Sequence, residues 1–363
     1  MAAVSVDAGK LVAFATEVFV RAGCPAEEAA IVAEHLVDAN LCGHDSHGIV
    51  RLARYVDWLD RGWLVAGAEP EIVTDAGAIL VMDARQGFGQ RVTRLFVDRL
   101  IDRASGSGVA LGALRNAGHI GRVGAYAERA AEAGLASLYF VNVRRSCLVA
   151  PFGSRERVLS TAPFSAGVPR RGRPPVIADF ATSAVAEGKC LVAARGGKPL
   201  ANEPLISAEG EPTGDPRVLY GETIDAAVPD PRGGPGALRA MGLHKGSALA
   251  VFCELLGGAL TGNGLATDKE RPVANGVIAI LFDPARLGDP ETMAAEVEQL
   301  CSSVGGAAPA ADVERVLLPG DAERAAKADR LAHGLPLDAG IIADLRKVGA
   351  RFDVDPAGVL PAA

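Results

Sequence analysis

The hydrophobic pattern of this chain changes twice, and these changes limit the folds that it can adopt. Residues 1–70 carry apolar side chains at helical spacing, residues 71–282 alternate between strand and helix patterns, and residues 283–363 return to helical spacing. The pattern predicts an α/β fold of mixed α+β content, with an α/β domain over residues 71–282. The two helical ends would then pack together as one discontinuous helical domain.

The middle segment contains a strand, a glycine-bearing loop, a helix and a second strand in succession. The strands are predicted at residues 109–114 and 135–143, and the loop at residues 115–124. Three glycines in the loop would let the backbone approach an anionic ligand, although tight packing of the helix explains them equally well. The spacing differs from a Rossmann dinucleotide site, and arginines at 144–145 stand where such a site has an acidic residue.

The strongest candidate for a chemical centre is the run of residues 44–51, which joins titratable side chains to the start of an amphipathic segment. The apolar positions that follow predict a helix over residues 47–61 with His47 and Arg51 on one face. An imidazole can move a proton near neutral pH, and a guanidinium can bind a carboxylate through two hydrogen bonds. This pair suits a 2-oxo or 2-hydroxy acid.

Two other interpretations of this run stay open at this point. In one, Asp45 or Ser46 caps the helix and Arg51 is an ordinary surface residue. In the other, Ser46 and His47 form a hydrolase triad with an acidic residue. That second interpretation lacks a G-x-S-x-G elbow around the serine, and the side chains of adjacent residues diverge.

Polar residues at the ends of other predicted elements are further candidates. Thr161 lies in a predicted loop over residues 159–167, and Asp179 ends a predicted strand. Lys245 precedes an apolar helix, where a bound anion would offset its unfavourable place at the positive end of the helix dipole. A turn cap, a strand end and a solvated lysine are the ordinary alternatives. The glycine- and proline-rich residues 196–240 predict a long surface excursion.

Composition excludes several classes of protein. The 363 residues are 49% hydrophobic and 22% charged, which is typical of globular proteins. A net charge of −7 without any basic block argues against nucleic acid as a partner. The chain has no run of eighteen apolar residues, and its N-terminus has no basic and apolar leader, so we expect no membrane association and a cytoplasmic location.

Cysteines and histidines give no sign of a metal centre. The six cysteines include no C-x-x-C pair, and the usual metal-ligand spacings are missing. Histidines in glycine-bearing motifs would form a metal site only if the fold brought them together; these are His44, His47, His119 and His244. We therefore predict no bound metal.

Five motifs occur in an order and spacing that resemble a known family. They are Asp45-Ser46-His47-Gly48 with Arg51, Gly118-His119 with Gly121 and Tyr126, Asp179-Phe180-Ala181-Thr182-Ser183 with Gly188-Lys189, His244-Lys245-Gly246 with Gly257 and residues 259–262, and Pro319-Gly320. The chain resembles the type-2 malate/L-lactate dehydrogenase family of NAD(P)-dependent 2-hydroxyacid dehydrogenases over residues 26–348. Residues 153–163 and 255–262 look most like a branch of broad hydroxycarboxylate dehydrogenases.

The resemblance implies a fold and a function. It implies a non-Rossmann nucleotide-binding α/β domain, a homodimer, and hydride transfer between NAD(P)H and carbon 2 of a 2-oxo or 2-hydroxy acid of the malate, lactate or aromatic type. NAD or NADP would be the cofactor, with a slight preference for NAD. A cyclic-imine carboxylate reductase of the same family and a non-catalytic metabolite-binding relative are the alternatives.

The resemblance also implies roles for individual residues. His47 would exchange the proton with support from Ser46, and Arg51 and Thr161 would bind the substrate. Lys189 stands where imine reductases of the family have an aspartate that completes a relay, so a second cation near the substrate favours an oxo acid. Residues that would contact the nucleotide are His119, Ile120, Gly121, Arg122, Val123, Asp179, Phe180, Ala181, Lys245, Pro319 and Gly320.

Overall fold

The computed structural model describes residues 4–194, 199–225 and 230–360. Most of its strands lie in the middle of the chain, and its two ends are mainly α-helical. In chain order the helices are α1 (Ala8–Arg21), α2 (Ala26–Leu41), α3 (Leu52–Asp60), α4 (Gly89–Ser107), α5 (Gly124–Glu132), α6 (Glu187–Ala194), α7 (Arg217–Tyr220), α8 (His244–Cys253), α9 (Pro290–Gly305), α10 (Asp321–His333) and α11 (Ala339–Arg351).

The strands of the described residues form three sheets. They are β1 (Val4–Val6), β2 (Glu71–Ala76), β3 (Ile79–Asp83), β4 (Val109–Ala117), β5 (Ala136–Arg144), β6 (Val149–Ala150), β7 (Phe164–Arg170), β8 (Arg173–Phe180), β9 (Leu205–Ile206), β10 (Pro212–Thr213), β11 (Ala237–Arg239), β12 (Ala274–Phe282) and β13 (Leu335–Leu337). The largest sheet has the order β2-β3-β4-β12-β5-β7-β8, and a smaller one has the order β10-β9-β11-β6. In the large sheet only the β3 and β4 pair is parallel.

The mixed α/β class predicted from the sequence is confirmed, and so are several of its elements. β2 and β3 form an antiparallel hairpin. The predicted strand, loop, helix and strand unit corresponds to β4, α5 and β5, with β12 inserted between the two strands. Because β12 pairs antiparallel with both neighbours, a segment distant in sequence completes the centre of the sheet.

Two predictions of loops from the sequence are wrong in part. The loop over residues 159–167 runs into β7, which begins at Phe164 because its backbone pairs with both β5 and β8. The surface excursion over residues 196–240 instead contributes β9, β10, α7 and β11. Its Leu205, Leu219 and Tyr220 are fully buried in a small core that they share with residues outside the excursion, such as Leu148 and Ala250. Residues 196–198 and 226–229 of that excursion lie outside the described residues.

Both ends of the chain contribute to one hydrophobic core. Side chains of α1, α2 and α3 pack with those of α11, among them Phe14, Leu36 and Leu345. The two ends also pair directly, because β1 lies antiparallel to β13 with Val4 opposite Leu337. A second core lies between the large sheet and helices α4 and α5. Helix α9 contacts β7 of the large sheet, and the domain boundaries drawn from the sequence stay a prediction.

No helix in the described part of the chain is both long and apolar enough to cross a membrane.

Candidate active site

The segment that carries Ser46 and His47 is a double turn rather than the start of a long helix. Residues Asp45–His47 and Ile49–Arg51 form two short 3-10 turns, and α3 begins only at Leu52. Between the turns Gly48 is extended, with φ −88° and ψ −154°. The predicted helix over residues 47–61 is therefore wrong in its first turn, and His47 and Arg51 do not share an α-helical face.

Asn40, at the end of α2, stabilises this double turn from within the protein. Its side-chain oxygen accepts a hydrogen bond from the Ile49 N–H at 2.7 Å, and its Nδ2 donates to Asp45 Oδ1 at 2.6 Å. A Cβ on Gly48 would lie 2.2 Å from the Asn40 oxygen. Glycine is therefore required here for space, because the local geometry of the turn depends on one buried amide.

The opposite end of the chain also holds the double turn. Arg330 of α10 contacts both carboxylate oxygens of Asp45, at 2.6 and 3.0 Å. His44 Nε2 lies 3.3 Å from Glu323 Oε1 on the same helix. A bidentate arginine and carboxylate pair fixes both distance and orientation, so α10 sets the direction in which the turn presents His47.

The imidazole of His47 pairs with that of His119. His47 Nδ1 and His119 Nε2 are hydrogen-bonded at 3.1 Å, and the two rings are nearly parallel with centroids 5.1 Å apart. On its other side His119 Nδ1 is hydrogen-bonded to Tyr55 Oη at 2.6 Å, and Tyr55 Oη accepts from Gln90 Nε2 at 2.7 Å. With Nδ1 engaged in this way, Nε2 is the ring nitrogen of His47 left for a ligand.

Burial keeps His47 neutral in the protein alone. Desolvation, with a smaller contribution from the Arg51 cation, lowers the pKa of His47 to about 3, and burial also places the pKa of His119 well below its usual value. A bound carboxylate would raise the pKa of His47 by opposing the field of Arg51.

Arg51 is held by its Nε and leaves its terminal nitrogens available. The Nε donates to the carbonyl oxygen of Ser46 at 2.6 Å. Within the described residues neither Nη atom has a hydrogen-bond partner. Burial lowers the pKa of Arg51, and Arg54 lowers it further, while Glu187 opposes both. A half-buried guanidinium with both terminal nitrogens available is suited to binding a carboxylate.

Ser46 lies against the start of α6, next to Lys189. A Cβ on Gly188 would lie 2.7 Å from the Ser46 Cβ, so the two backbones approach closely. The side chain of Lys189 is exposed. The His47 ring nitrogen contacts His119 rather than the Ser46 hydroxyl, and the roles of Ser46 and Lys189 stay predictions.

The end of β8 brings together residues that are distant in the sequence. The Thr182 N–H donates to the Thr161 carbonyl at 3.0 Å, and the Met241 N–H donates to the Thr182 carbonyl at 2.8 Å. Within β8, the Ile177 N–H donates to the Pro319 carbonyl at 3.1 Å. Ile177 lies three residues before Phe180. The segments around positions 161, 180, 243 and 319 therefore meet at one edge of the large sheet.

Glycines of the loop before α5 serve packing within the protein. A Cβ on Gly118 would lie 2.4 Å from Leu64, and one on Gly121, which has φ +76°, would lie 2.3 Å from the His35 ring. At the start of α5 the Gly124 N–H donates to Asp179 Oδ2 at 2.7 Å. The expectation of free N–H groups for an anion is wrong at Gly124, because the Asp179 carboxylate already supplies the anion.

Arg122 is likewise engaged by the protein itself. Its guanidinium is buried and contacts Asp38 at 3.0 Å and Glu128 at 3.0 and 2.5 Å. Its backbone N–H donates to His35 Nε2 at 3.0 Å. Arg122 therefore stabilises the loop from within the protein. The predicted nucleotide contacts of Ile120, Gly121, Arg122 and Val123 stay predictions.

Lys245 is an exposed cation in the first turn of α8. Among the described residues it has no ion pair or hydrogen bond through its side chain. Phe180 and Pro319, also predicted to contact the nucleotide, are exposed as well. Ala181 is half-buried beside them, and Gly320 is buried at φ +92°, where glycine is favoured.

Sequence reasoning missed Asn40, Tyr55, Gln90 and Arg330. Tyr55 and Gln90 are each 1% exposed, and both lie in helices whose apolar stripes predicted only packing. The one signal that the sequence gives for Tyr55 is that its polar side chain lies directly beside such a stripe. No signal in the sequence linked Arg330 to Asp45, because they are 285 residues apart.

The described residues contain no group of three or more histidines, cysteines and acids arranged to hold a metal ion. His44, His47 and His119 do approach one another, with ring centroids of His44 and His47 6.5 Å apart. His47 and His119 use ring nitrogens on each other.

A neutral histidine can exchange a proton with a ligand, and a half-buried arginine beside it can bind the carboxylate of a small acid. The sequence profile of the malate/L-lactate dehydrogenase family matches residues 6–346, and the chain belongs to that family.

Two relatives illustrate the range of named activities. Hydroxycarboxylate dehydrogenase B of Escherichia coli is 38% identical over 340 residues, which cover 92% of this chain and 90% of that protein. L-lactate dehydrogenase of Cupriavidus necator is 39% identical over 309 residues, covering 84% of this chain and 85% of that protein.

Solved structures share the whole fold. Sulfolactate dehydrogenase of Methanocaldococcus jannaschii superposes with a TM-score of 0.85 at 26% identity, covering 98% of this chain and 99% of that one. Delta1-piperideine-2-carboxylate reductase of Pseudomonas syringae superposes with a TM-score of 0.80 at 31% identity, covering 95% of this chain and 99% of that one.

Proposed function

We propose that this protein is a dehydrogenase that transfers a hydride between NADH or NADPH and carbon 2 of a 2-oxo or 2-hydroxy acid. The observation that carries the proposal is the position of His47. Its Nδ1 is held by His119 at 3.1 Å and its Nε2 is left for a ligand. Arg51 lies beside it, with Nη donors that have no partner among the described residues. Membership of the malate/L-lactate dehydrogenase family supports the same reaction.

The chain's own residues would orient the acid and exchange its proton. Arg51 would bind the carboxylate through its Nη groups, with the Thr161 hydroxyl as a second polar contact. His47 Nε2 would then give a proton to the 2-oxo oxygen, or take one from the 2-hydroxyl group. The partly buried site strengthens both contacts because the local dielectric constant is lower than that of bulk water. The nicotinamide, when bound, supplies the hydride chemistry.

The described residues fit a nicotinamide nucleotide at the edge of the large sheet. Lys245 is an exposed cation without an ion pair among the described residues, which suits a phosphate group, and Phe180 and Pro319 present exposed apolar surface. Asp179 would act through the start of α5, which it caps. We infer a non-Rossmann nucleotide-binding domain over residues 71–282, beside the helical domain formed by both ends of the chain.

The assembly proposed for this protein is a homodimer, and an apolar surface supports it. Helix α8 and the π-helical turn after it expose Phe252 to 57%, Leu255 to 47% and Leu260 to 72%. Val251, on the same stripe, is 39% exposed. A contiguous apolar surface of this kind is typical of a subunit interface. The cytoplasmic location stays a prediction.

A cyclic-imine carboxylate reductase is the second candidate function. A reductase for Delta(1)-pyrroline-2-carboxylate and Delta(1)-piperideine-2-carboxylate from Pseudomonas syringae is 34% identical over 90% of this chain. An exposed lysine at position 189 favours an oxo acid over an imine, because an imine that is to be reduced carries positive charge.

The test is a spectrophotometric assay of NADH and NADPH oxidation with a panel of 2-oxo acids and cyclic imine carboxylates. We expect turnover with oxo acids, and His47→Ala should reduce kcat by about 100-fold or more, since general acid and base catalysis contributes on that order. Binding of the reduced cofactor, followed by fluorescence, should be kept. Turnover by His47→Ala close to that of the wild type would contradict the role of His47, and turnover with imines alone would favour the second candidate.

A further inference from the structure

His47 is the last member of a hydrogen-bonded chain that runs into the protein interior. The order is Gln90 of α4, Tyr55 of α3, His119 of the loop after β4, and His47, with donor and acceptor atoms 2.7, 2.6 and 3.1 Å apart. Gln90 and Tyr55 are each 1% exposed, so water does not replace their partners. The proposed function leaves both residues without a role.

The orientation of the Gln90 amide defines one end of the chain. Its Nε2 donates to Tyr55 Oη, while its Oε1 is buried and has no partner in the described residues. Turning the amide over would instead bury an NH₂ group with two unpaired donors, and unpaired buried N–H groups are rarer than unpaired carbonyls. Gln90 therefore anchors Tyr55 by donating to it.

The Tyr55 hydroxyl can either donate to His119 or accept from it. When Tyr55 donates to Nδ1 of His119, the proton of His119 lies on Nε2 and is donated to Nδ1 of His47, whose own proton then lies on Nε2. When Tyr55 accepts, each hydrogen bond reverses, His47 donates through Nδ1, and its Nε2 carries a lone pair. Both neutral arrangements satisfy the two rings.

We propose that Tyr55, anchored by Gln90, is a positioning residue that lets His47 Nε2 present either a proton or a lone pair to the substrate. This inference rests on the proposed function and adds how a buried histidine serves both directions of the reaction. Presenting a proton suits the oxygen of a 2-oxo acid, and presenting a lone pair suits the hydroxyl group of a 2-hydroxy acid.

The proton balance in the oxidative direction follows from the second arrangement. The O–H bond of the hydroxy acid breaks and an N–H bond forms at His47 Nε2, while the hydride leaves carbon 2 for NAD(P)⁺. The Nδ1 proton of His47 then moves to His119 Nε2. His119 becomes an imidazolium whose Nδ1–H donates to Tyr55 Oη, and reduction runs through the same atoms in reverse.

The charged groups around the His47 and His119 rings explain why the Tyr55 hydroxyl group matters for protonation. In the described residues no carboxylate is hydrogen-bonded to either ring, and the charged or titratable groups facing them are Arg51, Arg54, Arg122, His35 and His44. The acids of neighbouring helices face those groups instead: Glu187 faces Arg51, Glu323 faces His44 and Asp38 faces Arg122. Tyr55 Oη is thus the acceptor available to an imidazolium at His119.

The test compares Tyr55→Phe with Tyr139→Phe. Tyr139 is also fully buried, and its hydroxyl donates to the Tyr126 carbonyl at 3.0 Å, away from the histidines. Each variant removes one buried hydroxyl group. Comparing the two therefore separates the effect of breaking the hydrogen-bonded chain from the effect of a general loss of stability. The readouts are the pH profile of kcat/KM and the ring ¹⁵N shifts of histidine-labelled protein without any ligand.

We expect Tyr55→Phe to move the apparent pKa in the pH profile down by about one unit, because a hydrogen bond to a charged group is worth about twice a neutral one. It should also change the ¹⁵N shifts of both His119 and His47. Gln90→Leu should act in the same direction, and Tyr139→Phe should change neither readout.

An unchanged pH profile and unchanged ¹⁵N shifts in Tyr55→Phe would overturn the inference. The same holds if Tyr139→Phe reproduced every effect of Tyr55→Phe. A wild-type protein that turned over no 2-oxo acid would refute the proposed function. It would also refute a catalytic role for the hydrogen-bonded chain from Gln90 to His47. In that case the ¹⁵N comparison would still decide whether Tyr55 sets the tautomer of His47.

Discussion

At the scale of single residues, the site depends on histidines that the protein keeps neutral. His47 and His35 both have a lowered pKa, to about 3 and about 4, and burial is the largest cause for each. His35 also has a structural need for neutrality. Its Nε2 accepts the Arg122 N–H at 3.0 Å, and it could not accept once protonated.

This arrangement predicts a stability that depends on pH. The unfolded chain binds protons at these histidines below about pH 6.5, whereas the folded protein excludes them down to about pH 4 at His35. Stability should therefore be lost as the pH falls through this window, by roughly 2 kcal/mol between pH 7 and pH 5 for the two residues together after allowance for partial exposure. Urea unfolding at the two pH values measures it.

His35→Gln is the matched variant for that measurement. Glutamine can accept the Arg122 N–H through its side-chain oxygen but does not titrate, so part of the pH dependence should disappear. The paired acids do not confuse the result, because the lowered pKa of Asp38 confines its contribution to more acidic pH. The same loss of stability on acidification in His35→Gln and wild type would contradict the prediction.

At the scale of elements, the double turn between α2 and α3 is the part that local rules described least well. Helical periodicity predicted that His47 and Arg51 would share a face. Gly48 interrupts the helix, and the Asn40 side chain takes the place of a helical hydrogen bond by accepting the Ile49 N–H. The direction of His47 is thus set by a buried amide and by α10, not by helical geometry.

Gly48→Ala should therefore damage this turn. The backbone at Gly48 is open to any residue, since its φ is −88°, but a Cβ would lie 2.2 Å from Asn40 Oδ1. We expect a loss of about 1–3 kcal/mol in the free energy of unfolding, typical of overpacking, together with a fall in kcat. Urea unfolding and the oxo-acid assay measure the two effects.

Gly106→Ala supplies the control. Gly106 lies in α4, and a Cβ there would have open space. Alanine in an exposed helix stabilises by up to about 1 kcal/mol relative to glycine. Equal stability of Gly48→Ala and wild type would show that Asn40 can move aside without cost.

At the scale of the whole molecule, segments distant in the sequence complete both the fold and the site. β12 enters the centre of the large sheet, β13 pairs with β1, and Arg330 contacts Asp45. The exposed apolar stripe of α8 is the surface that we propose binds a second copy of the chain.

Charging that stripe should separate the proposed dimer. Phe252→Glu places a carboxylate at a side chain that is 57% exposed in one chain, so it should leave folding intact and weaken association. We expect light scattering to show a dimer for the wild type and a monomer for the variant at micromolar concentration.

Leu300→Glu, in α9, is the comparable change on another surface, because Leu300 is 66% exposed. It should leave the dimer intact. A monomeric wild type, or a Phe252→Glu variant that stays dimeric, would contradict the assignment of the interface to α8.

The sequence by itself determined the mixed α/β class, most of the elements, the family and the residues whose chemistry suits an oxo acid. Those features depend on periodicity and on motifs a few residues long. The tertiary structure alone decided that His47 pairs with His119, that Tyr55 and Gln90 stand behind them, and that the loop glycines serve packing. The physical reason is that these contacts join residues 35 to 72 positions apart, and a local pattern carries no information about which distant side chain completes a hydrogen bond.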